Sequence, residues 1–597
     1  MKLVKGLVGC VGMASGLFAT LAVASPPVLD RVPKNAMAVI ATPSLAQLQK
    51  NLGSLATAID SPMPIPSVDD LLAQMGVEKG VNGSKSMAMV ILGPANGGKN
   101  ADGTPMNEAE LQAAMDKNIF VLVPTDNYND FVGNFNVKAT DGVDAGMVND
   151  SPTFFKNVGG GYTAISPGKS VLEGVEIKGG NQAAMDASFG KSGKAIADSA
   201  DIFIVLNMEI AQAFKPMLIE KFKEGMEGNP AALALEGMED GEMAQWIETM
   251  GKDAQTMIIG LKPDAMGVSM DLAMSFKTGS YMASAFTGKG DTGPLMSKLP
   301  NQPYFFAGAI DFSSPGIRKL WDDFSKKAAA AGGEAGLADM PLEQIKASDG
   351  FSFLVGSPQG GIMGGMLTST IGYFRTNKAA EAIQAMKSAL TDMNGKDAGP
   401  VKLETSFEEG GAEVDGTAVD SYSIKFKPSD DEEADPQMGM MTQIIFGAAG
   451  GPGGYISKQD NGMLLSLSKN SLLMSAAMKS AKGGDSVGTD KMTAQVAERL
   501  PKNRMFEFYI GVKSIVEAVQ PLAAMGGVNL EIDLPPTMPP VGMGMAANEG
   551  GAHFGMYMPA PVLKTVVKTA MQAQGMGGDP DGGAGGGKKP AGNKPRF

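Results

Sequence analysis

Cysteine and histidine, the residues behind much of enzyme and metal chemistry, are nearly absent here: the 597 residues contain one cysteine, Cys10, and one histidine, His553. Cys10 lies in an apolar N-terminal run, so the rest of the chain has no disulfide, no thiolate nucleophile and no cysteine metal site. A Ser-His-Asp triad would have to use His553, and the G-x-S-x-G elbow that presents a nucleophilic serine does not occur. Zinc sites draw on several His or Cys ligands, and the sequence cannot supply them.

Positive charge is also short. Against 50 Lys+Arg stand 64 Asp+Glu, for a net charge of -14. Such a chain repels a phosphate backbone, and no basic stripe offsets the repulsion, so nucleic acid is excluded as a partner. After the N-terminus no apolar run approaches membrane-spanning length, so no transmembrane segment is expected once a leader is removed.

Phosphate and calcium motifs fail on spacing. Gly168-Lys169-Ser170 and Gly190-Lys191-Ser192 look like P-loop ends, but the required earlier glycine is Thr163 in one and Met185 in the other. Asn100-Ala101-Asp102-Gly103 resembles part of an EF-hand loop, yet Ala109 occupies the closing position that needs a bidentate glutamate. Gly159-Gly160-Gly161 and Gly450-Gly451-Pro452-Gly453-Gly454 have no dinucleotide spacing and read as turns. A carboxylate pair for hydrolysis of an envelope polymer stays open, because 64 acidic residues do not nominate one pair.

What is present begins with an address. Met1-Lys2-Leu3-Val4-Lys5 precedes an apolar run from Gly6 to Ala24, and Ala22-Val23-Ala24 fits an A-x-A cleavage site. Residues 1–24 therefore read as a secretory signal peptide, placing the protein in the periplasm or outside the cell. Retention of the run as an anchor and lipidation at Cys10 are the other two readings. A large exported chain without disulfides points to a bacterial envelope.

The remainder repeats itself. Val32-Pro33-Lys34-Asn35, Leu299-Pro300-Asn301-Gln302 and Leu500-Pro501-Lys502-Asn503 each open a short strand that runs into a helix, and Asp201 opens a fourth copy without the proline. Leu45, Leu48, Leu52, Leu55 and Ile59 recur at three or four residues, the spacing of one helix face. Met89 to Pro94 matches Phe353 to Pro358, Ile119 to Val123 matches Met366 to Phe374, and Gly161 to Ser166 matches Gly462 to Ser468. Each half closes on a hairpin, Met257 to Phe276 with its turn at Lys262-Pro263-Asp264, and Val541 to Met558 with its turn near Asn548 to Gly551. The expected fold is α+β: two tandem homologous halves, 26–290 and 295–574, with mainly antiparallel sheets and helices packed on one face. Residues 575–597, rich in Gly, Pro and Lys, read as a disordered tail.

On these Leu-Pro-x-x strand-helix units and the signal peptide, the chain resembles large exported bacterial proteins of the same layout. The resemblance spans most of the mature chain, rests on short motifs and implies no assigned activity; the first copy departs from it, with Val32 in place of leucine.

Methionine is abundant, at 44 residues. Met543 and Met545, then Met556 and Met558, bracket His553 in the last hairpin, a soft-donor set that suits Cu(I). The plainer reading is flexible core filler. Taken together, these observations predict an exported envelope protein that binds a ligand or protein partner without catalysis and without a cofactor, using the sheet face or the cleft between halves. A carboxylate hydrolase and a Met-based Cu(I) binder are the alternatives.

Overall fold

The computed structural model describes residues 25–573, apart from most of 212–250 and 321–347 and shorter stretches within 62–75, 95–116, 359–363, 399–400, 429–435 and 526–533. The segments read from the sequence as a signal peptide (1–24), a disordered tail (575–597) and an acidic loop (430–435) lie outside the described residues.

Among the described residues, short β-branched and aromatic runs between turns make twenty strands. The first part of the chain gives β1 (Ala36–Thr42), β2 (Met87–Leu92), β3 (Ile119–Pro124), β4 (Val143–Val148), β5 (Ser151–Gly159), β6 (Tyr162–Ser166), β7 (Ile202–Asn207), β8 (Ala254–Asp264) and β9 (Gly267–Phe276). The second gives β10 (Tyr304–Asp311), β11 (Gly350–Gly356), β12 (Thr370–Arg375), β13 (Asp397–Ala398), β14 (Val401–Val414), β15 (Thr417–Pro428), β16 (Gly453–Gln459), β17 (Gly462–Ser466), β18 (Arg504–Ile510), β19 (Val541–Ala547) and β20 (Gly551–Pro559). Every pairing between them is antiparallel, and all twenty join one sheet.

The order in that sheet is symmetric about the β9–β20 pair. One direction runs β9-β8-β7-β1-β2-β3-β6-β5-β4; the other runs β20-β19-β18-β10-β11-β12-β17-β16-β15, then β14 and β13. The registers agree as well. Crossing the first side, Asp271, Gly260, Phe203, Ala41, Ala88, Leu122, Ala164 and Lys156 stand opposite one another in turn. Crossing the second, the same steps meet Gly555, Gly544, Glu507, Ala309, Ser352, Tyr373, Leu464 and Ser457. Asp271 faces Gly555 at the centre. The register shift between Ala36 and Ala38 recurs between Tyr304 and Phe306 at the equivalent positions.

Seven of the described helices pack on the sheet or at its seam. They are α1 (Leu45–Ala58), α2 (Gln182–Ser199), α3 (Ala379–Met393), α4 (Ser471–Ala481), α5 (Lys491–Ala497), α6 (Val512–Met525) and α7 (Ala560–Ala573). Ser44 caps α1 by accepting from the Gln47 amide, and Leu48, Leu52 and Leu55 form its buried face, as the spacing required. Phe189, Ile196 and Ala197 of α2 cover Val39, Phe203, Val205 and Ile258; Leu473, Met474 and Ala477 of α4, with Val496 of α5, cover Leu354, Tyr373, Leu464 and Tyr509. That face is sealed: Phe203, Leu354 and Leu464 are fully buried.

Helices also lie on the other face. Leu48 and Leu52 of α1 pack on Ile202 and Ile40, and Met386 and Leu390 of α3 pack on Tyr422, Ile424 and Ile456. The one-sided helix layer expected from the sequence is therefore two-sided, because both faces of the sheet carry apolar residues that must leave water. Around the β9–β20 seam this second face stays partly exposed: Ile204, Ile259, Met270, Leu272, Met543, Phe554, Met556 and Phe508 are all half-buried. The first hairpin turns at 265–266, two residues beyond the expected Lys262-Pro263-Asp264.

Candidate functional site

The seam between the halves holds the larger of the two described cavities, about 1080 Å³. The β8–β9 turn supplies Ala265 and Met266, and the end of α1 supplies Ala58. From the second half come Val496 and Arg499 at the end of α5, Tyr557 and Pro559 of β20, and the start of α7. A proline-rich segment, Leu534-Pro535-Pro536 with Pro539, closes one side. Proline fixes its own backbone torsion, so these walls lose little freedom when a ligand arrives. Lys513 Nζ donates to the Pro536 carbonyl at 2.7 Å and ties the segment to α6.

Several contacts hold the two halves in register here. The Met266 carbonyl accepts from the Ala560 amide at 2.7 Å and from the Tyr557 hydroxyl at 2.8 Å. Arg499 pairs with the buried Asp264 and lies over the Tyr557 ring, 5.5 Å from its centre. Burial pushes the Tyr557 phenol up to about 12; the Asp264 charge adds to this and Arg499 opposes it. Lys564 pairs with Asp60, holding that exposed carboxyl below its usual range through the hydrogen bond and the charge. The charged lining is Arg499, Lys564 and Lys568 against Glu498 alone.

The other cavity, about 720 Å³, has Lys289, Asp291, Asp311, Asp349, Arg375 and Lys502 in its lining. Burial alone would raise the Asp311 carboxyl, but the Asp291 and Ser313 amides and the Arg375 guanidinium outweigh it and hold it below the usual range. The carboxyl that is raised is Asp201, pushed up to about 6 by burial and by the Asp264 charge, against the Asn51 amide and Lys262. Asp201 accepts from Asn51 Nδ2 at 2.6 Å and lines neither cavity.

The methionine set from the sequence is split. Residues opposite one another in an antiparallel pair share a face. Met543 faces Met556, Met545 faces Phe554 and Val541 follows Met558 in the same register, so the four methionines stand on the half-exposed face. His553 pairs with Ala546 and Ala273 and points to the sealed side, where its Nε2 lies 2.9 Å from Asp271 Oδ1. Alternation along β20 already implied this, since positions 553 and 556 differ by an odd number. What the sequence did not reveal is that Met270 faces Met556, nor that Met266 and Arg499, 233 residues apart, line one cavity.

Among the described residues no group of three or more His, Cys, Asp or Glu is placed to hold a metal ion, and no helix is long and apolar enough to cross a membrane. Compared with protein-family models, with curated proteins and with solved structures, the chain matches none.

Proposed function

We propose that the protein is an exported, non-enzymatic binding protein whose seam cavity takes an amphipathic anion, an apolar body bearing a carboxylate or phosphate head. One observation carries this reading: in a chain of net charge -14, a cavity of about 1080 Å³ sets three cations and one anion around a wall of proline and aliphatic side chains. A cavity of that size accommodates a ligand of drug-like or lipid-like size. Arg499 is paired with Asp264 and Lys564 with Asp60, so a head group would share these cations with their carboxylates, while the prolines and Leu534 offer the surface an apolar body would cover. Glu498 is the one carboxylate in the seam lining, whereas hydrolysis by paired carboxylates needs two; the other cavity does bring Asp291, Asp311 and Asp349 together, with Asp311 held ionised by its amide donors and Arg375.

Native mass spectrometry of the protein from its own envelope fraction, beside the denatured chain, tests the reading. A bound mass carrying an acidic group is expected, and Lys564→Met with Lys568→Met should lower its occupancy at least tenfold. An empty native protein that also fails to bind fatty acids and lysophospholipids at micromolar concentration would overturn it.

A further inference from the structure

The residues that follow Ala24 are built into the first half. In the single helical turn Pro27–Arg31, Val28 and Leu29 are fully buried, in the core cluster that also holds Phe189 and Ile196 of α2. The Val28 amide donates to Ser86 Oγ at 3.0 Å. Ser25 itself is 3% exposed. Its hydroxyl donates to Asp198 Oδ1 at 3.0 Å and accepts from Lys194 Nζ at 2.8 Å, and its carbonyl accepts from Gln182 Nε2 at 3.3 Å. All three partners belong to α2.

Charge around Ser25 does not balance. Asp186 and Asp198 share one ammonium, that of Lys194, at 3.6 and 3.3 Å. Asp30 and Arg31, on the turn that follows Ser25, pair with each other at 3.9 Å. One carboxylate charge is therefore left over. The nitrogen of Ser25 is two bonds from the Cβ that bears the hydroxyl, so it lies no more than about 7 Å from the Asp198 carboxylate.

We propose that cleavage after Ala24 completes a docking site for the mature N-terminus, in which the new α-ammonium of Ser25 is the second cation for Asp186 and Asp198. Hydrolysis by an export peptidase breaks the Ala24–Ser25 amide and consumes one water; it leaves a carboxylate on Ala24 and the ammonium on Ser25. The site rests on the reading of the chain as exported, since a retained leader would keep the Ser25 nitrogen an uncharged amide. Because Ser25 and Val28 are buried in the folded protein, the bond is cut before the first half closes around it, which places processing ahead of folding. Until the cut, the surplus carboxylate has no partner cation, so the precursor holds its first half less tightly than the mature chain does.

The test is acylation of the α-amine in the folded chain purified after export, read from the intact mass and the mass of the N-terminal peptide. The mature chain should begin at Ser25. Its α-amine should react at least about tenfold more slowly than that of the Asp186→Asn/Asp198→Asn variant, because acylation needs an uncharged, released amine and the two carboxylates hold it charged and docked. Asparagine keeps the size of the side chain and an acceptor oxygen for the Ser25 hydroxyl, so a merely structural role for Asp198 would leave the rate unchanged. Asp198→Asn alone replaces the double variant if that does not fold. A chain that retains residues 1–24 would overturn both the exported reading and the site. A chain that begins elsewhere, or an α-amine that reacts as fast in the parent as in the variants, would overturn the site alone.

Discussion

β7 and β18 occupy the same place in the two sides of the sheet and fill it with opposite chemistry. On β7 Phe203 and Val205 pack as hydrocarbon, with Phe203 fully buried. At the equivalent positions β18 has Glu507 and Tyr509; Glu507 is 2% exposed, and accepts from Arg504 at 2.9 Å and from the Tyr509 hydroxyl at 3.1 Å. One backbone register thus tolerates either a hydrophobic contact or a carboxylate, provided each buried carboxylate has its own donors. The half-exposed face differs in the same way: Phe306, Phe353 and Phe508 stack on one another in the second half, where Ala38, Met89 and Ile204 stand in the first.

The largest expected effects come from emptying either solution. Phe203→Ala should cost about 3–5 kcal/mol through lost burial and a cavity, and Glu507→Ala a similar 3–5 kcal/mol by stranding Arg504; equilibrium urea unfolding compares them. If Glu507→Ala were nearly free, the two solutions would not be equivalent in weight.

A pH series gives the next largest effect. The Asp201 carboxyl is raised to about 6 in the folded protein, so the fold holds that proton more tightly than the unfolded chain does. Its contribution is therefore fully present below about pH 4 and is lost as the pH rises through 6, by about 3 kcal/mol. Asp201→Asn should remove this window from unfolding midpoints measured between pH 4 and 7.5, and Glu507→Gln should leave the window in place.

Transplanting one solution into the other sharpens the comparison further. Replacing Glu507 and Tyr509 by the Phe and Val of β7, together with Arg504→Ala, should be neutral or stabilising by about 1–4 kcal/mol, since a well-packed apolar set replaces a desolvated ion pair. The smallest effect concerns the two turns at the seam. The β19–β20 turn meets α2 through the exposed Lys191–Glu549 pair at 3.4 Å and the Asn548–Ser192 hydrogen bond at 2.6 Å, where the β8–β9 turn opens onto the cavity. Lys191→Ala should shift unfolding by no more than about 0.5 kcal/mol.

Much of the local structure was legible. The leucine spacing of 45–59 became α1, and the apolar runs at 39–41, 202–206, 304–310 and 506–512 became strands or parts of them. The motif matches between Met89 and Phe353, and between Val123 and Phe374, coincide with equivalent rows of the sheet. The site was not legible. Arg499 and Met266 carry no motif, and a cavity between them exists only because β9 and β20 pair. The methionines were visible as a group, but their grouping with His553 fails on strand parity, and Met270 joins them only through a partner 286 residues away along the chain.

By itself the sequence determined the length and periodicity of the elements, the absence of thiol and multi-histidine chemistry, the acidic balance and the recurrence of the strand-helix unit, because propensity, patterning and charge act over a few residues at a time. Tertiary structure alone decided that the two sets of strands join into one sheet, which face each methionine takes, which carboxyl is raised, and that the seam encloses a cavity. Those outcomes depend on which edges meet and what is desolvated where they do, and chain-distant contacts of that kind leave no spacing in the sequence to read.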